Sequence, residues 1–171
     1  MFESEADFIR ADWPLLCGGA INLFWSPVVL ARAQQALVAL GYEVAEVSCG
    51  SQPPSFEVQI SRALKWLEQF GYEPWSGNLN ALNDALQHYP FGPSRRAALV
   101  FTGFHHLVGS DPNLARVILD IIECSARDHL LESKLLIALV QTDDPHFSCS
   151  DIGCRAAKWN DAELINTNRG L

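Results

Sequence analysis

The sequence predicts an α/β fold, a small parallel sheet of about five short strands flanked by helices on both faces. Three observations predict it. Short apolar runs bounded by turn residues alternate with longer segments whose apolar residues recur every three or four positions. The run Leu135 to Gln141 is apolar without alternation, which fits a central parallel strand covered on both faces. The chain has 171 residues, 49% hydrophobic and 19% charged, enough for one domain with a large core and too apolar for disorder.

The elements follow in order. Residues 1–18 read as a loose lead-in or a short helix. Ala20 to Trp25 is a short apolar run, and Ser26-Pro27 then starts a helix, with Ser as N-cap and Pro in the first turn. Val29, Ala33, Ala36, Leu37 and Leu40 supply its stripe, and Gly41 stops it. Tyr42 to Val47 alternates as a strand, so 20–47 reads as strand–helix–strand, which favours a parallel pair. Gly50 to Pro54 is a loop. A second helix, capped by Ser55, carries Phe56, Ile60, Ala63, Leu64, Leu67 and Phe70 and ends at Gly71. A third helix runs from Asn78 to about His88, bounded by Pro90 and Pro93. Ala97 to Thr102 is a strand. Asp111-Pro112 opens a helix that buries Leu114, Val117, Ile118, Ile121 and Ile122 and runs to or past Asp128. Beyond Gln141, a polar loop from Thr142 to Gly153 precedes an edge strand within Arg155 to Trp159 and a short closing helix from Asn160-Asp161.

Charge narrows the function classes. Twelve Lys and Arg against twenty Asp and Glu leave a net charge of −8. Nucleic-acid binding without sequence preference needs clustered cations, so no direct nucleic-acid partner is expected, whereas a basic protein partner suits the surface. The acidic start, Glu3, Glu5 and Asp7, is unlike a signal peptide, and no apolar run approaches the ~20 residues of a membrane span. Five cysteines spread along the chain, an odd number, point to free thiols in a reducing cytoplasm.

No cofactor is expected. The first strand–helix turn, Leu23 to Pro27, has no glycine that would let backbone approach a pyrophosphate, and no phosphate-loop pattern occurs. The loop from Asp143 to Cys154 holds His146, Cys149, Cys154 and three Asp, but its His-x2-Cys-x4-Cys spacing matches no common zinc site. It reads as a polar connection. His105 and His106 follow a strand end, where a general base would stand with Cys49 or Cys124 as nucleophile. They read as surface loop histidines.

The third helix carries the most information. Leu79, Leu82, Ala85 and Leu86 form its buried stripe, and Asn80, Asn83, Asp84 and Gln87 form the opposite one. A solvated helix face normally uses long charged residues, whereas Asn and Asp are poor helix formers. Trp75 and Tyr89 bracket this acidic, amide-rich face with aromatics, a composition suited to protein binding.

The segment Trp75-Ser76-Gly77-Asn78-Leu79-Asn80-Ala81-Leu82-Asn83-Asp84-Ala85-Leu86 resembles the signature of the barstar family, an aromatic–Gly turn leading into Asn-Leu-Asp-Ala-Leu, an aromatic, Asp, a small residue and Leu. The resemblance covers residues 43–141 in element order. The whole chain, 1–171, then reads as a single barstar-like domain with an extra strand–helix unit over 19–41 and a C-terminal tail over 142–171. The resemblance implies a bacterial inhibitor or immunity protein, not an enzyme, that plugs the active site of a basic ribonuclease-type toxin. The family's key Asp falls on Asp84. Other contact positions fall on Trp75, Ser76, Asn78, Asn80, Asn83, Gln87 and Tyr89, and an acid of the following long helix on Glu123. Asp84 would stand in for a substrate phosphate, Asn80, Asn83 and Gln87 would hydrogen-bond around it, and Trp75 and Tyr89 would supply apolar contact. The sequence departs from the pattern where Asn80 replaces a second Asp, Asn83 an aromatic and His88 a Gly. The alternatives are a metal- or thiol-dependent enzyme using His146, Cys149 and Cys154 or His105 and His106, and a regulatory interaction module on the same scaffold.

Overall fold

The computed structural model describes residues 10–50 and 52–171. The first nine residues of the lead-in, with the acids of the N-terminus, and Ser51 of the first loop lie outside them. The described elements are α1 (Trp13–Cys17), β1 (Ile21–Phe24), α2 (Pro27–Ala39), β2 (Glu43–Ser48), α3 (Phe56–Ala63), α4 (Trp66–Phe70), α5 (Leu79–Gln87), β3 (Arg96–Thr102), α6 (Phe104–Ser110), α7 (Pro112–Leu131), β4 (Leu135–Gln141) and β5 (Lys158–Trp159). Two 3-10 turns, Asp161–Glu163 and Asn166–Arg169, close the chain.

The strands form one parallel sheet in the order β2-β3-β4-β1-β5. β1 therefore does not pair with β2, as the strand–helix–strand reading favoured. It lies between β4 and β5, and α2 carries the chain across to the far edge. The pattern of 20–47 fixes strand direction but not adjacency, and β4, fully buried along its length, is the better neighbour for the fully buried β1.

Alternation divides the sheet between two layers. Leu99, Phe101, Leu136, Ala138, Val140, Ile21 and Leu23 face α3 to α7. Ala98, Val100, Ile137, Leu139 and Phe24 face α2, through Leu30 and Leu37, and the Leu15–Leu16 pair of α1. Helix ends follow from sequence. Gly41, at φ +81, closes α2 with Gly41 N–H to Val38 O at 2.9 Å and Tyr42 N–H to Leu37 O at 3.0 Å. α7 ends in the same two-bond motif, Ser133 N–H to Leu130 O at 3.1 Å and Lys134 N–H to His129 O at 2.9 Å, with Ser133 at φ +57 in the place that glycine usually takes.

Two helices differ from expectation. The single helix expected over 56–70 is broken at Lys65, which adopts φ +52. Lys65 Nζ binds Glu43 Oε2 and Pro90 O, both at 3.1 Å, so tertiary tethers outweigh a local sequence without Gly or Pro. The stretch after β3 is not a loop but α6, started by Gly103 at φ +64 and held by buried Phe104 and Leu107.

The C-terminal tail is part of the core assembly. β5 pairs with β1, and the carboxylate of Glu163, buried, accepts hydrogen bonds from Trp25 N–H at 3.1 Å and Ser26 N–H at 2.7 Å. It thereby caps the start of α2. Arg169 stacks over Trp159, 4.5 Å from the ring centre, and donates to Pro145 O. No described helix is long and apolar enough to cross a membrane.

Candidate functional site

The site is the outer face of α5 and the turn before it. Asn78 is the N-cap, and its side-chain oxygen accepts from Asn80 N–H at 3.0 Å and Ala81 N–H at 3.3 Å. Leu82, Ala85 and Leu86 are buried against the core, as the stripe requires. Asn80, Asp84, Gln87 and His88 are exposed, and Asn83 is half-buried. Asp84 has no side-chain hydrogen bond or ion pair among the described residues. His88 Nδ1 lies 3.0 Å from Asp84 O, and because a carbonyl only accepts, the ring nitrogen donates.

The helix carrying this face is fixed from behind. His129 Nε2 donates to Leu86 O at 2.7 Å from α7, and Gln69 Nε2 donates to Ala85 O at 3.2 Å. His129, near the end of α7, is buried and packs edge-on against Phe91 at 4.8 Å. The polar groups of α5 are thus presented on a rigid element, which lowers the ordering cost of binding.

Three expected contact residues are placed elsewhere. Trp75 is 1% exposed, with its N–H on Ser61 Oγ at 2.7 Å and Nε1 on Asn78 O at 2.8 Å, and its ring lies against Phe56. Tyr89 is 4% exposed and packs on Phe91, and burial, with Glu43 and Glu68 adding, pushes its hydroxyl up to about 12. These rings build the platform and do not present an apolar surface. Glu123 is 4% exposed, with Oε2 accepting from Ala20 N–H at 2.6 Å, so it faces the start of β1 and not the outside. The cause is the N-terminal unit: β1, laid beside β4, covers the part of α7 that carries Glu123. Ser76 and Asn78 are exposed beside α5, although Asn78 spends its acceptor on the cap. His88 is the exposed site neighbour that the sequence reading passed over. Its replacement of a usual glycine at the helix end was the available signal.

The residues of the alternative readings lie in the tail loop and at the start of α6. Among the described residues, no group of three or more His, Cys, Asp or Glu is placed to hold a metal ion. In the tail loop Cys149 is buried while Cys154 is exposed. His105 Nδ1 accepts from Asp143 N–H at 3.1 Å, and its ring lies 4.1 Å from that of His106. Three of the thiols are pushed away from the thiolate form. Burial pushes Cys49 up to about 12 and raises Cys124 and Cys149 above the ordinary thiol value. Comparison of the chain with protein-family models, with curated proteins and with solved structures found no match.

Proposed function

We propose that this protein is a barstar-like inhibitor that binds a basic nuclease-type toxin and occludes its active site without turnover. The observation that carries the reading is Asp84, an exposed carboxylate without a partner among the described residues, on a helix locked from behind by His129 and Gln69. In a cationic cleft that carboxylate takes the place of a substrate phosphate. Asn80, Asn83 and Gln87 hydrogen-bond around it, and Ser76, Asn78 and His88 border the contact. The net charge of −8 steers a basic partner toward the face. Such a protein works in the cytoplasm of a producing cell and needs no cofactor, nucleic acid or membrane. Order of elements is a second support, because β2 through β4 with α3 to α5 and α7 follow the succession expected of the barstar resemblance. The contact excludes Glu123, Trp75 and Tyr89, and its energy rests on polar groups instead of aromatic anchors.

The test uses wild-type protein and Asp84→Ala as paired baits in lysate of the native host. The expected result is a basic protein captured by wild type alone, whose purified form cleaves RNA and is silenced by one equivalent of this chain. A captured partner that holds equally well to both baits, or whose nuclease activity survives excess inhibitor, overturns the proposal.

A further inference from the structure

We infer that the cavity between α1, α7 and the C-terminal tail binds a small zwitterion of the α-amino-acid class. Its volume is about 180 Å³. The apolar walls are Leu16, Ala126, Leu130 and Leu136. Three charged side chains complete it, and their hydrogen bonding is unequal.

Glu123 supplies an acceptor. Its side chain is 6% exposed, and only Oε2 is hydrogen-bonded, to Ala20 N–H. Oε1 accepts no hydrogen bond from the described residues, and its ion pair with Arg127 Nη2 is long, 3.9 Å. Gly19, at φ +113, keeps the carboxylate uncrowded, since a Cβ there would stand 3.0 Å from Oε1. The guanidinium of Arg127 is engaged with Gly153 O. Arg155, on the tail and exposed, also lines the cavity, with no ion pair or side-chain hydrogen bond among the described residues. The pocket therefore offers a carboxylate oxygen without a protein donor, an arginine without a protein acceptor, and an apolar wall.

A simple amine meets Glu123 but also faces the charge of Arg155. A simple carboxylate meets Arg155 but faces Glu123. A zwitterion satisfies both, and the match to the buried Glu123 counts for more than in water. A cavity of roughly 150 Å³ holds a benzene ring, so an aliphatic side chain of valine or leucine size fits and a large aromatic one does not. The inference is independent of the inhibitor reading, because Asp84 and its neighbours do not line this cavity.

Calorimetric titration of the full chain with L-leucine, isovalerate and isoamylamine tests it. Leucine is expected to bind with Kd of about 1 mM or tighter, and each analogue about tenfold more weakly. Arg155→Ala, a change at an exposed residue, should weaken leucine by about tenfold and leave the amine as tight or tighter. Absence of leucine binding, analogues as good as leucine, or leucine affinity untouched by Arg155→Ala overturns the proposal.

Discussion

Asp84 sits at a position where an acid is unfavourable to the fold, and this makes Asp84→Ala the sharpest perturbation. Asp is a poorer helix former than Ala by about 0.6 kcal/mol in a helix interior. The residue also lies in the C-terminal half of α5, four residues before the C-cap His88, where the negative end of the helix dipole opposes an anion by a few tenths of a kcal/mol at an exposed site. No described partner offsets either cost. The variant should therefore be more stable than wild type, by about 0.5–1 kcal/mol, a rise in Tm of about 1–4 °C for a chain of this size. Affinity for the toxin should move the other way, by at least about 2 kcal/mol, or roughly 30-fold, because the partner's cations lose their only desolvated counter-charge on the helix. Urea unfolding followed by circular dichroism measures the first quantity, and calorimetry with the partner the second. A loss of stability beyond about 1 kcal/mol would mean that the carboxylate is engaged in the fold. A gain in stability with unchanged affinity would mean that the face of α5 is not the contact.

Glu123→Ala should show the reverse signature, a loss of about 2–3 kcal/mol in urea unfolding with affinity for the toxin unchanged, since it strands the buried N–H of Ala20. Glu163→Ala should cost about 2–4 kcal/mol by the same assay, because the N–H groups of Trp25 and Ser26 both lose a charged acceptor. Ser133→Gly should add about 0.5–1 kcal/mol by relieving a left-handed conformation at the end of α7. At alkaline pH, Cys49 and Tyr89 have folded values raised to about 12 from 9.0 and 10.0, so their contribution is full below those ordinary values and is lost as pH rises toward 12. Urea midpoints measured between about pH 8 and 11.5 should fall, and Tyr89→Phe should flatten the part of the fall that begins near pH 10.

The sheet and most helices were legible because their signals are local. Ser26-Pro27 and Asp111-Pro112 mark helix starts, Gly41 marks a stop, and the unbroken apolar run of β4 marks a strand covered on both faces. What escaped was set by distant residues. The break at Lys65 depends on Glu43 and Pro90, and the end of α7 is made by a serine in a conformation its type rarely adopts. The same division holds for the site. The periodicity of α5 separates Asn80, Asp84 and Gln87 from Leu82, Ala85 and Leu86, so the exposed stripe was readable. Whether Trp75 and Tyr89 face solvent depends on Phe56, Ser61 and Phe91, which no spacing brings together. Glu123 was misplaced because its surroundings come from β1, a hundred residues earlier in the chain.

The segments at the two ends of the chain pack as one unit. Without β1, the strand β4 would be an edge strand whose seven residues are all buried, an open row of backbone donors and acceptors on an apolar ribbon. β1 covers that edge and is in turn paired along its outer side by β5, which is only two residues long and carries Lys158. A short edge with a lysine resists further strand addition. The tail that supplies β5 also supplies Glu163 to cap α2, and α2 is the connection that returns the chain from β1 to β2. The two end segments thus support each other. Together they extend three strands to a five-strand sheet, hold Glu123 inward against Ala20, and wall the cavity that Arg155 and Glu123 line. The exposed face of α5 belongs to the helical layer on one side of the sheet, and none of its residues lines this cavity.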